Sequence, residues 1–370
     1  MEERAFWLAL IKVPGLGTAK IHALVNHFGR AETAWRAAPA EVAKVKGIGP
    51  HYTELFVSGR AGIVPERELE TVLRRGMRVL IFTDPEYPQL LKQIHDPPPV
   101  LFVKGSLRPE DSRAIAVVGS RNATPFGRSA AGELAAGLAL AGVCVVSGLA
   151  RGIDTAAHQG ALKAGGRTIA VLGNGLDTVY PPENRTLFRK IEEAGAVISE
   201  YPPGSRPDPR HFPARNRIIS GLSRGVVVVE SAEGGGALIT ADFALEQGRD
   251  VFAVPGPASS QYSVGTNRLI EEGARPVRDV QGILDEYGWP PGDAGPAGKK
   301  GRSKQSGPGL NELQKRIVKT LSLEPRNIES VKELTGIGPA QLAAQLMLLE
   351  INGVVIKLPG GQYILKRGSV

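Results

Sequence analysis

The sequence predicts an α/β protein: a doubly wound, mostly parallel sheet with a helical segment before it and a winged helix after it. Three observations predict this. Short apolar, β-branched runs recur from Arg78 to Val254 with helical patterns between them. Most of these runs are continuously apolar, the pattern of strands covered on both faces. Glycine-rich turns follow several of them, where a strand gives way to a helix.

The elements follow in order. Residues 1–60 have a helical pattern and two related turns, Val13-Pro14-Gly15-Leu16-Gly17 and Val45-Lys46-Gly47-Ile48-Gly49. A Gly-hydrophobic-Gly turn ahead of a helix has the helix-hairpin-helix look. It exposes backbone N–H groups that can hold a phosphate, or it simply packs two helices together. Strands are expected at Arg78–Phe82, Val100–Val103, Ala114–Val118, Val143–Ser147, Thr168–Leu172, Ala196–Ser199, Val226–Glu230 and Val251–Val254. Helices are expected at Phe126–Ala141, Thr155–Ala164, Glu183–Ala194, Ala237–Gln247 and Thr266–Glu272. Right-handed crossovers then bring the loops after the strands to one edge of the sheet. Residues 61–289 form this domain. Residues 290–309 read as a basic, flexible linker rich in Gly and Pro. Residues 310–370 read as three helices (Asn311–Leu321, Asn327–Thr335, Pro339–Glu350) and a β-ribbon (Val354–Leu358, Gln362–Lys366), a winged helix. Its third helix carries no Lys or Arg, so a protein contact suits it as well as DNA does.

Composition narrows the function. In 370 residues the formal charge is +8, which suits an anionic partner. The charge is uneven, however: residues 61–289 hold 25 Lys/Arg against 26 Asp/Glu. Any nucleic-acid site there must be a local cluster. A single cysteine, Cys144, excludes an internal disulfide framework and a cysteine zinc site. No apolar run approaches the roughly 20 residues that span a bilayer, and the acidic start Met1-Glu2-Glu3 is unlike a secretory signal. A soluble cytoplasmic protein is the expectation.

Ligands of open α/β sheets sit outside the carboxyl ends of the strands. Four glycine-rich loops fall there: Gly119-Ser120-Arg121, Ser147-Gly148-Leu149-Ala150-Arg151-Gly152, Gly173-Asn174-Gly175 and Gly234-Gly235-Gly236. Such loops bring backbone N–H groups and helix N-termini close to an anion, and two of them carry an arginine. The segment His211-Phe212-Pro213-Ala214-Arg215-Asn216-Arg217 adds two arginines and an aromatic ring beside a helix start. Arginine pairs phosphate oxygens in a fork, and an aromatic ring stacks on an unpaired base. Phe212 reads equally as a core aromatic, and Arg217 as an ion pair with Glu230 or Glu200. Asp154 and His158 share one helical face, which fits structural roles better than an acid/base pair, because no third group joins them. Cys144 reads as a buried hydrophobe. Neither Gly-x-x-x-x-Gly-Lys-Ser/Thr nor a strand-borne Gly-x-Gly-x-x-Gly occurs, which argues against a P-loop nucleotidase and against NAD or FAD.

Several blocks of the middle segment, taken together, resemble the DprA/Smf family. They are Val117-Val118-Gly119-Ser120-Arg121, Ser147–Asp154 with His158, Tyr180-Pro181, Ser199-Glu200, Phe212–Ser223, Leu238-Ile239-Thr240-Ala241 and Val254-Pro255-Gly256. The resemblance covers about Asp84 to Gly273, and the helical (helix-hairpin-helix or SAM-like) and winged-helix flanks agree in type. It implies an extended Rossmann-like domain that binds single-stranded DNA in a basic pocket, a homodimer, and a partnership with RecA in natural transformation. By match to the family's motifs, Arg121, Arg151, Phe212, Arg215 and Arg217 are the pocket candidates, with Gly119, Ser120, Gly148 and Asn216 supplying backbone or amide contacts. No cofactor, metal, membrane or catalytic step is implied. One departure stands out: Gly234-Gly235-Gly236-Ala237 replaces the family's usual Ser-Gly-Ser/Ala, which loses a hydroxyl and puts a phosphate role for this loop in doubt. The competing class is a nucleotide phosphoribohydrolase on a related fold, which the Gly-Gly turn and the following helix with Glu246 resemble, but that class's Pro-Gly-Gly-x-Gly-Thr signature is incomplete at Glu233–Ile239.

Overall fold

The computed structural model describes residues 2–291, 310–321, 325–351, 354–358 and 360–365. Most of the linker expected at 290–309 lies outside the described residues, as does Lys366 of the expected ribbon. The chain divides into two compact units at residue 293.

The larger unit is built on a nine-stranded sheet. In chain order its strands are β1 (Arg78–Ile81), β2 (Val100–Gly105), β3 (Ala114–Val118), β4 (Cys144–Ser147), β5 (Thr168–Leu172), β6 (Ala196–Ser199), β7 (Gly225–Val228), β8 (Asp250–Ala253) and β9 (Arg275–Pro276). Their spatial order is β1-β2-β6-β5-β4-β3-β7-β8-β9. Strand β2 is antiparallel to both its neighbours, β1 and β6, and the remaining pairs are parallel. From β3 the chain steps outward through β4, β5 and β6, then returns to β7 on the other side of β3. The switch point of the doubly wound sheet therefore lies between β3 and β7.

Alternation along β3 shows why the sequence folds into three layers. Ile115 and Val117 face α8 (Pro125–Leu140) and α9 (Ile153–Lys163), which bury Ala131, Ala135, Leu138, Ala157 and Ala161. Ala114, Ala116 and Val118 face α11 (His211–Gly221) and α12 (Gly236–Glu246), which bury Ile218, Ile219, Ala241 and Ala244. Both sides of the strand leave water, so the run is apolar throughout. A fifth helix, α10 (Arg185–Ala194), covers β5 and β6 with Leu187, Phe188 and Ile191.

The first six helices are α1 (Glu3–Lys12), α2 (Thr18–Phe28), α3 (Ala31–Arg36), α4 (Pro39–Val42), α5 (Pro50–Gly59) and α6 (Pro65–Arg74). Both expected turns are present: Gly15 and Gly47 take positive φ (75° and 84°), and Gly17 and Gly49 begin α2 and α5. The division expected at residue 60 falls between α5 and α6. Trp7, Leu24 and Phe56 of the helices share one buried cluster with Val79, Ile81 and Phe102 of the sheet. Arg4 ties the two together by donating to the Val79 carbonyl at 3.1 Å and pairing with Asp84 at 3.1 Å. Helix α7 (Gln89–Lys92) lies between β1 and β2, α13 (Val264–Glu271) between β8 and β9, and α14 (Val280–Glu286) follows β9.

The smaller unit has α15 (Glu312–Thr320), α16 (Ile328–Thr335) and α17 (Pro339–Ile351), with β10 (Arg326–Asn327), β11 (Val355–Leu358) and β12 (Gln362–Leu365) in an antiparallel sheet ordered β10-β12-β11. Asn311 and Asn327 cap α15 and α16 by accepting from the amides of Gln314 and Ser330, each at 2.8 Å. Ile317, Val331, Leu342, Leu346, Leu349 and Val355 form its core. This is the expected winged helix.

Candidate functional site

A crevice of about 520 Å³ opens at the carboxyl ends of β3 and β7, at the switch point. Its walls come from the loop after β3 (Gly119 to Asn122), Ala150 and Asp154, the start of α11 (Phe212, Pro213, Arg215, Asn216) and the start of α12 (Gly235, Gly236, Ala237). A smaller recess of about 60 Å³ is lined by Arg121, Gly148, Arg151, Tyr180, Phe212 and Arg215.

Four helices begin around this region, α8, α9, α11 and α12, and they differ; α11 opens after Arg210 with no side-chain cap. Thr124 caps α8 by accepting from the Gly127 amide at 3.0 Å, and the buried Glu230 carboxylate accepts from the Thr124 amide at 2.8 Å and from its hydroxyl. That N-terminus already holds an anion. Helix α9 carries Asp154 in its first turn, where the carboxylate accepts from the amides of Gly148 (3.1 Å) and Ala150 (3.3 Å). Helix α12 begins at Gly235-Gly236 with no side-chain cap and no acid in its first turn. Its end lines the crevice, so the loop placed in doubt by its missing hydroxyl carries the uncompensated positive dipole end.

The crevice contains a short stack. The Arg121 guanidinium lies over the Phe212 ring at 5.1 Å from its centroid, and the Tyr180 ring lies 5.5 Å from Phe212, tilted by 31°. Arg121 is exposed and has no ion pair among the described residues. Phe212 is half-buried and belongs to none of the hydrophobic clusters, so it is not a core aromatic.

Arg215 has a different environment. It is 3 % exposed and donates through Nη1 to the carbonyls of Gly148 (2.8 Å) and Val171. Burial lowers its pKa to about 10, against the pull of Asp154, and Arg121 lowers it further. Its Nε has no partner. Arg215 therefore forms the charged floor of the crevice and clamps the loop after β4 to β5. Gly148 sits between Arg215 and Asp154: a Cβ there would lie 2.6 Å from both Arg215 Nη atoms and 2.7 Å from Asp154 Oδ2. Burial raises the pKa of Asp154 and lowers that of His158 to about 3. His158 Nδ1 meets Thr168 Oγ1 at 2.7 Å. Both residues brace the floor, in line with the structural roles expected of them.

The remaining expected residues separate. Gly119 packs against α9, where a Cβ would lie 2.6 Å from Ile153. Ser120 donates its amide to the Glu230 carbonyl at 2.8 Å, and its hydroxyl accepts from the Asn122 amide at 3.1 Å. Asn216 lines the crevice and donates to the Gly236 carbonyl at 3.4 Å, tying α11 to the start of α12. Arg151 reaches the smaller recess but forms an exposed ion pair with Glu183. Arg217 is the correction. Its fork grips Glu200 at 2.8 and 2.6 Å, and its Nε reaches Asp96 at 3.3 Å. Burial opposes its charge, but Glu200 and Asp96 outweigh it and raise the pKa. Two positions beyond Arg215 on a helix, it points away from the crevice and does not line it. The alternative reading as an ion pair with Glu200 holds.

The sequence reasoning did not nominate Glu230, Tyr180 or Asn184. Asn184 donates to the Leu149 carbonyl at 2.9 Å and holds Leu149 at a φ of 57°, in the left-handed region. Only Thr124-Pro125, a cap followed by proline, signalled the α8 start in the sequence.

The family described as DNA recombination-mediator protein A matches residues 78–288, and the DprA winged helix domain matches residues 301–361. Protein Smf of Synechocystis sp. is 37% identical over 98% of both chains. The crystal structure of DNA processing protein A from Streptococcus pneumoniae superimposes with a TM-score of 0.70 at 38% identity, covering 77% of this chain and 98% of that one. DNA processing protein A of Helicobacter pylori, whose structure is described in terms of its single-stranded DNA binding mode, gives a TM-score of 0.52 at 29% identity, covering 57% and 95%. The chain belongs to the DprA/Smf family of DNA processing proteins.

Proposed function

We propose that this protein binds single-stranded DNA in the crevice at the β3/β7 switch point, protects it there, and passes it to RecA during natural transformation. The observation that carries the reading is the pairing of a stacking surface, Arg121 over Phe212 beside Tyr180, with the uncompensated N-terminus of α12 across the same crevice. An unpaired strand offers bases to the first and a phosphate to the second, whereas duplex DNA hides its bases. The Helicobacter pylori relative supports the choice of ligand. Binding without chemistry fits the crevice, because Asp154, the acid in its lining, and the buried His158 on the same helix are committed to buried bonds. Membership of the family also supports a homodimer in the cytoplasm, with no cofactor.

Fluorescence anisotropy with a labelled oligothymidylate tests this. Unlabelled duplex should barely displace the oligonucleotide, and rising salt should weaken binding steeply as counterions return to the phosphates. Equal competition by duplex refutes the reading. Order-of-addition experiments with RecA test the hand-over: the protein should speed RecA filament formation on strands already covered by a single-strand-binding protein.

A further inference from the structure

We propose that the winged-helix unit pairs with that of a second copy of this chain, through an antiparallel, two-fold contact of helix α17 centred on Ala344.

Helix α17 is apolar on two sides. Leu342, Leu346 and Leu349 are buried in the core of the unit. At about 100° per residue, Ala340, Ala343, Ala344, Met347 and Leu348 share an arc of roughly 140° on the other side. All five are exposed; Met347 is 63% and Leu348 45% accessible. Leu334 of α16 is also exposed, at 57%. A helix apolar on both sides is normally covered on both. The helix has no Lys or Arg, so a phosphate backbone gains no charge from it.

Size and charge identify a second copy as the cover. The small residues Ala340, Ala343 and Ala344 lie toward the start of the helix, and the large Met347 and Leu348 toward its end. Antiparallel pairing about Ala344 sets Leu348 of each copy against Ala340 of the other, so large side chains meet small ones. The same register brings Glu350 of each copy to Gly338 of the other, since both lie six residues, about 9 Å, from the axis. Glu350 sits at the negative end of its own helix. In the pair its charge lies level, along the axis, with the positive N-terminus of the other α17, where the first N–H groups have no intrahelical acceptor.

One helix face covers less than the roughly 800 Å² per partner of a standard interface, so the pairing is weak in free solution. Where several copies share one DNA strand, which rests on the function proposed above, their effective concentration rises toward the millimolar range.

Cysteine crosslinking of the full chain tests this, since the native Cys144 is buried. Under mild oxidation Ala344→Cys should form an intermolecular disulfide without DNA, and more of it on a long oligothymidylate. Ala340→Cys should not, because its two copies would stand about 12 Å apart along the axis, beyond disulfide reach. Combining Ala340→Cys with Leu348→Cys should restore the crosslink. Adding Leu348→Asp to Ala344→Cys should cut the yield about tenfold or more, since a charge enters an apolar contact. Equal crosslinking at 340 and 344, or none at 344, overturns the proposal; the latter is expected if DNA or another protein occupies the stripe. The arm without DNA reads the pairing even if the crevice binds no DNA.

Discussion

Replacing Arg217 by Ala separates a structural arginine from a DNA contact. The Arg217 and Glu200 side chains are 11% and 15% exposed and meet through two hydrogen bonds of 2.6 and 2.8 Å. Removing one partner of a buried pair leaves the other charge unpaired, at about 3–5 kcal/mol. The lower end applies here, because both groups keep some solvent contact. Asp96, 44% exposed, adds little beyond that. Arg217→Ala should therefore lower stability by about 3 kcal/mol in urea unfolding followed by circular dichroism. Folded protein should bind oligothymidylate with nearly unchanged affinity. Substituting Arg217→Met together with Glu200→Met should recover much of the loss, since only the half-exposed Asp96 is then left without its partner. Stability close to the parent, with a tenfold or greater loss of DNA affinity, would refute the reasoning and return Arg217 to the pocket.

Arg121→Ala should do the reverse: stability should stay within about 0.5 kcal/mol, as for an exposed side chain, and DNA affinity should fall about tenfold to a hundredfold from loss of a charged hydrogen bond. Phe212→Ala should cost about 1–3 kcal/mol of binding by fluorescence titration, and a core-sized loss of stability with normal binding would contradict the stack. Gly148→Ala forces a methyl against Arg215 and Asp154 and should cost about 1–3 kcal/mol of stability, read by thermal unfolding; an unchanged melting point would mean the floor is loose. Because the folded-state pKa of His158 is lowered to about 3, the unfolded chain binds that proton first as pH falls. Stability should thus decline from pH 6.5 toward 3, by up to about 1.4 kcal/mol per pH unit, and His158→Asn should flatten this slope in urea titrations at several pH values.

The strands and crossovers were legible because each fully covered strand is a continuous apolar run, and β3 is the clearest case: Ala114 to Val118 supply both faces. The crevice edge followed from topology. Arg121 and Phe212 were legible as residues of the crevice lining, since one follows a strand in a glycine turn and the other opens a helix. Arg215 and Arg217 were not separable, because two arginines two apart on a helix look alike until the fold assigns one to a buried floor and the other to Glu200. The α8 N-terminus was equally opaque: Glu230 is 106 residues from Thr124, and no local pattern joins them.

The Glu230 carboxylate at the start of α8 has a consequence for competition in the cell. In nucleotide-binding sheets of this kind, the first strand-turn-helix is where a mononucleotide or dinucleotide seats its phosphates. Here that seat carries a permanent internal occupant, bonded to Thr124 and packed against Gly127. Free ATP, NAD and their relatives would have to evict a covalently attached carboxylate to enter it. The α12 N-terminus, across the same crevice, carries no such internal carboxylate. The plug thus closes the usual phosphate seat from within and leaves the α12 end of the crevice open to an anion.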